Sequence, residues 1–302
     1  MAFDFPAIEN PFLKPYGGIG VRDAALVHHD GILYCFYTAS YWNGETFISN
    51  IDLVSTRDLV NWTRPRHVVA APPVFWSPGN VLRVHGDWML CMQDYRVKPG
   101  ELFAGDDARL WLARSRDLLN WGQPEPMNPA GARVKWSDTA RQIDPFLVEH
   151  DGRYWCFYKG SIPTGNGSLG LLVSEDLRQW TEVCVDRAAI GPADTPDGSA
   201  VENPCVVRDG DEFVLFFSPC RRARGIGVAR SGDLIHWRDV RYLEFPKPSW
   251  IRHGPNAAMV IDQRAEYGRW LMVLHADRDG EGPHGGILGL AWSEDLEHWV
   301  CP

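Results

Sequence analysis

The sequence predicts an all-β chain folded as a five-bladed β-propeller with four antiparallel strands per blade. Three observations carry that prediction. A motif of the form S-x-D-L-x-x-W recurs five times, a strand–turn–strand pair precedes each copy, and helical periodicity over more than ten residues is absent almost everywhere. The motif copies are STRDLVNW ending at Trp62, SRDLLNW at Trp121, SEDLRQW at Trp180, SGDLIHW at Trp237 and SEDLEHW at Trp299. The tryptophans are 59, 59, 57 and 62 residues apart, a period that suits propeller blades. An open solenoid of the same units would show distinct capping repeats, and none is visible.

Each blade opens with an apolar strand, turns at a glycine and returns as an aromatic strand. The four clear copies are AALVHHDGILYCFY, GNVLRVHGDWMLCM, PFLVEHDGRYWCFY and NPCVVRDGDEFVLFF. Asp-Gly between two β-rich runs is a strong hairpin signal, because the turn needs residues that tolerate positive φ. The fifth copy, NAAMVIDQRAEYGRWLMVLH, keeps both strands but has a longer turn. A third strand then runs into the motif, whose Asp-Leu turns the chain into a fourth, outer strand while its Trp covers the blade. The blades are read as residues 21–66, 75–125, 143–186, 201–243 and 254–302, within a single domain spanning 1–302. Residues 1–20 are expected to close the ring by pairing with the last blade.

The chain has 302 residues, of which 45% are hydrophobic and 23% charged, so long disorder is excluded and a sizeable core is available. A formal charge of -9 argues against nucleic acid or an anionic membrane as the main partner. Seven cysteines is an odd number with no C-x-x-C pair, and Cys35, Cys91 and Cys156 sit inside apolar runs. They are read as small buried hydrophobes in a reducing compartment, not as a disulfide framework. The N-terminus has no signal-peptide pattern, and no apolar run approaches the ~20 residues that span a bilayer. The expectation is a soluble, cytoplasmic protein.

In a propeller the first strand of each blade lines the central channel, and its start lies at the mouth where ligands bind. Counting back eight residues from the turn glycines Gly31, Gly86, Gly152 and Gly210 gives Asp23, Pro78, Asp144 and Glu202, and matching the fifth blade gives Asn256. Three acids in register are read as a site, because carboxylates forced together repel one another and structural positions rarely accumulate them. Two chemistries fit. Glycosidic cleavage needs a proton donor for the leaving oxygen and a second carboxylate that activates water or attacks carbon. A metal held by oxygen ligands also needs about three carboxylates. Trp42, Trp76, Phe103, Trp136 and Trp250 lie outside the repeat motif, where aromatic faces suit stacking on a sugar, and this favours a carbohydrate ligand.

From about residue 20 to its end the chain resembles the glycoside hydrolases of family 43, the arabinanase, α-L-arabinofuranosidase and β-xylosidase group. RDAALVHHDGILYCFYTA is similar to the family's first-blade D-P…D-G strand pair, which implies Asp23 as general base. QIDPFLVEHDGRYWCFY is similar to its third-blade I-D-P segment, implying Asp144 as the residue that tunes the acid. VENPCVVRDGDEFVLFF is similar to the fourth-blade E-G-P segment, implying Glu202 as general acid. FWSPGNVLRVHGDWML resembles the second-blade W-A-P segment and RWLMVLHADR the fifth-blade Y-H-A segment at His275. The resemblance implies inversion by direct attack of water.

The chain departs from the family at Ala24, where proline follows the base, and in reading E-N-P for E-G-P. Asn256 stands where many members have a histidine near a central metal, and His253 lies three residues upstream. The reading requires no cofactor, with a central Ca2+ as the one metal it leaves open. The retaining families 32 and 68 share the propeller, but their W-M-N-D-P segment is missing here. Arg22, Trp42, Trp76, Ser77, Asn256 and His275 are the candidate substrate-binding residues beside the catalytic set Asp23, Asp144 and Glu202.

The leading functional expectation is an inverting, exo-acting glycosidase on short oligosaccharides, pentose- or furanose-containing. Connections around 96–109, 132–142, 190–201 and 278–286 are long enough to wall off one end of the funnel. A non-catalytic carbohydrate-binding propeller is the rival from another class. A glycoside phosphorylase is a third option, with Arg22 and the cluster Arg221, Arg222 and Arg224 as phosphate ligands. Mannoside phosphorylases and anhydrogalactosidases stay open because a blade plan does not fix a substrate. His28, His29 and His150 are read as surface residues, and Asn166-Gly167-Ser168 as carrying no sugar.

Overall fold

The computed structural model describes residues 3–69, 71–99, 107–161, 167–220, 225–277 and 285–302. Phe103, Asn166, Arg221, Arg222 and Arg224, and parts of the connections at 96–109 and 278–286, lie outside these residues. Among the described residues the chain is all-β apart from a 3-10 turn at Phe5–Ala7 and one helical turn, α1, at Arg264–Tyr267. No helix among the described residues is long and apolar enough to cross a membrane.

Strands β1 (Gly20–His29), β2 (Ile32–Trp42), β3 (Phe47–Thr56) and β4 (Arg66–His67) pair in sequence as an antiparallel meander. The same four-strand plan recurs in β5 (Phe75–Val84), β6 (Asp87–Tyr95), β7 (Arg109–Ser115) and β8 (Glu125–Pro126). It recurs again in β9 (Ile143–His150), β10 (Arg153–Ser161), β11 (Gly167–Ser174) and β12 (Thr181–Glu182). A further copy is β13 (Val201–Asp209), β14 (Glu212–Pro219), β15 (Gly227–Ser231) and β16 (Arg238–Tyr242). The last is β17 (His253–Gln263), β18 (Arg269–Asp277), β19 (Ile287–Ser293) and β20 (Trp299–Val300). The longer turn between β17 and β18 is filled by α1, which Gly268 ends in the left-handed region.

Little backbone hydrogen bonding joins one meander to the next: a parallel bridge from Ser49 to Phe75 links the first two into one sheet. Side chains therefore hold the meanders together. The first strands β1, β5, β9, β13 and β17 touch in chain order, and β17 also touches β1. Ala25, Val27 and Phe36 of the first meander pack on Trp76, Leu90 and Met92 of the second. Met89, Cys91 and Leu112 of the second pack on Leu147, Cys156 and Tyr158 of the third. Near the N-terminus, Leu13 exchanges backbone hydrogen bonds with Leu288, and Asn10 does so by its side chain with Leu290. All seven cysteines are free thiols, five of them buried.

The repeated motif builds the same turn each time. In the first copy the Thr56 hydroxyl accepts from the Asp58 and Leu59 amides, and the Asp58 carboxylate accepts from the amides of Val60 and Asn61 and the Asn61 side chain. These donors hold the Asp58 carboxyl far below the usual carboxylate range. The leucine that follows takes a left-handed backbone in every copy, with φ of 65° at Leu59, 64° at Leu118, 63° at Leu177, 68° at Leu234 and 66° at Leu296. That conformation costs a leucine about 1–2 kcal/mol, and burial of the side chain at Leu59, Leu118, Leu234 and Leu296, partial at Leu177, offsets it. Replacing Asp58 with Ala removes the cap while leaving the leucine strained. The expected cost is about 1–2 kcal/mol, and thermal unfolding should show a midpoint lower by roughly 2–3 °C with the same fold by circular dichroism.

Candidate active site

Every first strand is irregular at its N-terminal end. The pairing register slips between Arg22 and Ala24, Pro78 and Val81, Ile143 and Phe146, Glu202 and Cys205, and twice between His253 and Met259. Bulges of this kind re-aim side chains and are common beside active sites. Asp23, Asp144, Asn203 and Ala257 sit in these bulges with φ of 32°, 53°, 52° and 46°. From these bulges the Asp23 and Asp144 side chains line one pocket.

The register differs from the sequence alignment in two places, at Glu202 and at Asn256, whose neighbour Ala257 is the counterpart of Asp23 in the fifth meander. Glu202 pairs with Ser218, as Arg22 pairs with Thr38, Ser77 with Gln93, Ile143 with Lys159 and Asn256 with His275. Glu202 thus stands level with Arg22, one step nearer the mouth than Asp23 and Asp144, and Asn203 is their true counterpart. At Glu202 the cause is the turn. Asp30-Gly31, His85-Gly86 and Asp151-Gly152 have positive φ at both residues, so the glycine comes second. In the fourth meander Asp209 pairs with Glu212, which leaves Gly210 as the first turn residue. Counting from that glycine moves the register by one.

The facing positions on the second strands form a layer of polar residues: Thr38, Gln93, Lys159, Ser218 and His275. Each reaches the first strand of the next meander. The Thr38 hydroxyl bonds the Ser77 hydroxyl at 2.7 Å. The Gln93 amide oxygen accepts from the Asp144 backbone N–H. The Lys159 ammonium pairs with the Glu202 carboxylate, and Ser218 accepts from the Ala257 N–H at 2.8 Å. His275, on the last meander, returns to the first, with Nδ1 3.7 Å from an Asp23 oxygen. This cyclic hand-over fixes the bulges and carries Asp23, Asp144 and Glu202 into one pocket.

That pocket has a volume of about 380 Å3. Its charged lining is Arg22, Asp23, Arg141, Asp144, Lys159 and Glu202, with Gln93, Tyr95, Asn203, Cys220, Asn256 and His275 between them. Beside it a cavity of about 30 Å3 is bounded by the bulges of all five first strands. Burial pushes the Asp144 carboxyl up to about 6; the negative charges of Glu202 and Asp23 add to this, and Lys159 opposes it. Burial works against the Lys159 ammonium, yet Glu202 and Asp144 hold it above the ordinary lysine value. Arg22 lies 3.8 Å from Asp23 and also feels Tyr95, Asp277 and Glu202.

Asp144 gives a pH prediction with a definite sign. Its folded-state value is raised above 3.8, so its contribution to stability is complete below pH 3.8 and is lost as the pH rises through about 6. Asp144→Asn removes this dependence. The melting temperature of the variant is expected to fall less than that of the wild type between pH 4 and 7, a difference of up to about 3 kcal/mol at neutral pH.

Of the candidate substrate-binding residues, Arg22, Asn256 and His275 line the pocket. Ser77 borders the cavity beside it and is bonded to Thr38. Trp76 is a correction: it is 4% exposed, packs in the core between the first two meanders and donates its indole N–H to the Pro72 carbonyl. Its apolar neighbours bury it, so no face is left for a sugar. Trp42 is 52% exposed at the end of β2, edge-on to Phe47 and outside the pocket lining. Trp136 lies on Tyr158 and donates to the Cys184 carbonyl, and Trp250 donates to the Pro302 carbonyl. His28 is corrected as well, because its side chain is buried against Phe3 and Glu266.

Gln93, Tyr95, Arg141, Lys159 and Asp277 were not read from the sequence. Asp277 is buried with an oxygen 3.2 Å from His275 Nε2. Gly286 makes room for that imidazole, since a Cβ there would lie 2.3 Å from Nε2. A metal would need converging donors. Among the described residues no group of three or more His, Cys, Asp or Glu side chains is placed to hold one, and His253 is exposed.

No family model matches the chain, and no curated protein matches it. Solved structures do. An exo-1,5-α-L-arabinanase from a bovine ruminal metagenomic library is 18% identical over 99% of this chain and 99% of its own, with a TM-score of 0.64. An α-L-arabinanase of Cellvibrio cellulosa, complexed with arabinohexaose, is 17% identical over 94% of this chain and 96% of its own, TM-score 0.65. A xylan β-1,4-xylosidase of Bacillus halodurans is 16% identical over 97% of this chain and 56% of its own, TM-score 0.68. The chain therefore shares its fold with glycoside hydrolases of the arabinanase and xylosidase type.

Proposed function

We propose that the protein is a glycoside hydrolase and that its five meanders are the blades of one five-bladed propeller. The observation that carries this reading is the convergence of Asp23, Asp144 and Glu202 in a single pocket at one end of the first strands. In this reading Asp23 takes a proton from water as the water oxygen attacks the anomeric carbon. The bond from that carbon to the leaving oxygen breaks, and Glu202 protonates the oxygen. The product has inverted configuration. The negative charge of Asp144 beside Glu202 favours the protonated form of the pair's acid. A pocket of about 380 Å3 suits a terminal residue of a short oligosaccharide, which is exo action on pentose- or furanose-containing chains.

The reading is tested with a panel of chromogenic p-nitrophenyl glycosides: α-L-arabinofuranoside, β-D-xyloside, β-D-galactofuranoside, β-fructoside and acidic sugars. Release from at least one donor is expected, and proton NMR of the first-formed sugar should show the inverted anomer. No release from any donor, neutral or acidic, would sink the hydrolase. Release with retained configuration would remove Asp23 from the role of base.

A further inference from the structure

The Lys159–Glu202 ion pair conflicts with the acid role just proposed, and the conflict points to the substrate. A carboxylate that binds an ammonium stays ionised, whereas a proton donor must be neutral at the moment of bond cleavage. The pair is not sealed in a core. Both side chains line the open pocket, with 18% of Lys159 and 31% of Glu202 exposed. Arg141 lines the same wall, and Lys159 pairs across the sheet with Ile143, two residues further along the chain. Two cations thus flank one strand end at the pocket wall, and one of them is held by the very carboxylate that has to pick up a proton.

Resting on the hydrolase reading, we infer that the natural ligand carries an oxyanion that docks on Lys159 and Arg141 and takes Lys159 away from Glu202. A neutral sugar offers only hydroxyl groups, which cannot replace a carboxylate as the partner of an ammonium in a half-buried site. A carboxylate on the sugar ring, as in a uronic acid, can. Inorganic phosphate offers the same chemistry from a second source. Once the oxyanion neutralises Lys159, Glu202 takes a proton from solvent and later passes it to the leaving oxygen. Water supplies the hydroxyl at the anomeric carbon, and Asp23 keeps the other water proton. The charge on the substrate therefore switches the acid on, and neutral glycosides are handled slowly.

Isothermal titration of the full chain tests this with free D-galacturonate and D-glucuronate against D-galactose and D-glucose, and with inorganic phosphate. The expected result is a uronate preference of about tenfold or more that shrinks as salt is added. Lys159→Gln should erase the preference and Lys159→Arg should keep most of it. Should Lys159→Gln fail to fold, the wild-type comparison and its salt dependence still decide. Equal binding of uronate and neutral sugar, with no phosphate binding, overturns the inference, as does a preference that survives in a folded Lys159→Gln. Phosphate binding without uronate binding, lost in Lys159→Gln, upholds the oxyanion site and names phosphate as its source. Uronate preference without cleavage of any glycoside would sink the hydrolase and leave this site standing. Brisk cleavage of neutral glycosides without a uronate preference would do the reverse.

Discussion

Asp23→Asn is expected to lower kcat by about a thousandfold on whichever glycoside the protein turns over, with little change in KM or melting temperature. Asparagine keeps the size and shape of the side chain but cannot take a proton from water. Position 23 has φ of 32°, and asparagine tolerates that region as well as aspartate does, so the bulge should survive. The carboxylate's ion pairs are long, 3.8 Å to Arg22 and 3.7 Å to His275, so an asparagine of the same shape should cost the fold little. A structural role would show as a lower melting temperature and a higher KM. Activity within tenfold of the wild type would remove Asp23 from the chemistry. Glu202→Gln, measured beside it, is less clean because it also strips Lys159 of its carboxylate. The Asp23 variant is therefore the sharper probe.

The repeat was legible because the same local physics is written five times. Ser or Thr, then Asp, then Leu builds one capped turn, and the leucine's left-handed backbone is offset by a side chain buried in four copies and partly buried at Leu177. The hairpin glycines were equally plain, and with them the first strands that carry Asp23 and Asp144. The register slipped by one at Glu202 and at Asn256, and at Glu202 the cause was a turn in which glycine occupies the first position. Turn type depends on φ at both central residues, and sequence shows only that a glycine is present.

The bulges and the polar layer behind them were harder to see. A bulge leaves no residue signature when Asp, Asn or Ala occupies it, as at Asp144, Asn203 and Ala257. Thr38, Gln93, Lys159, Ser218 and His275 did carry a signal. Each is a polar residue at the same place in an otherwise apolar second strand, in YTA, MQD, YKG, FSP and LHA. Aligning the second strands as the first were aligned would have found Lys159 and Gln93. Trp76 shows the opposite limit. Its place between strands suggested a sugar platform, but which ring a neighbouring blade covers is set by packing across meanders, which one strand's sequence does not encode.

The second large effect is structural and falls where two meanders meet. Gly79→Ala is expected to destabilise the protein by about 3 kcal/mol or more, lowering the melting temperature by about 5 °C or more. A Cβ at Gly79 would lie 2.0 Å from the Pro145 carbonyl oxygen and 2.8 Å from Cys91 Sγ, so a backbone atom would have to move. Few backbone bonds join these meanders, and the neighbouring Asn80 does the stitching instead. Its side chain donates to the Leu147 carbonyl at 3.0 Å and accepts from the Leu147 N–H at 2.7 Å. Forcing β5 away from β9 strains that pair of bonds and shifts Pro145, the residue after Asp144. The variant should therefore lose activity even at temperatures where it stays folded. Gly232→Ala is the control, because a Cβ there meets nothing within 4 Å and the position has no left-handed backbone. If both variants melted within about 1 °C of the wild type, the first strands would have slack at the channel. The close approach of β5 and β9 could then not be what holds Asp144 in the pocket.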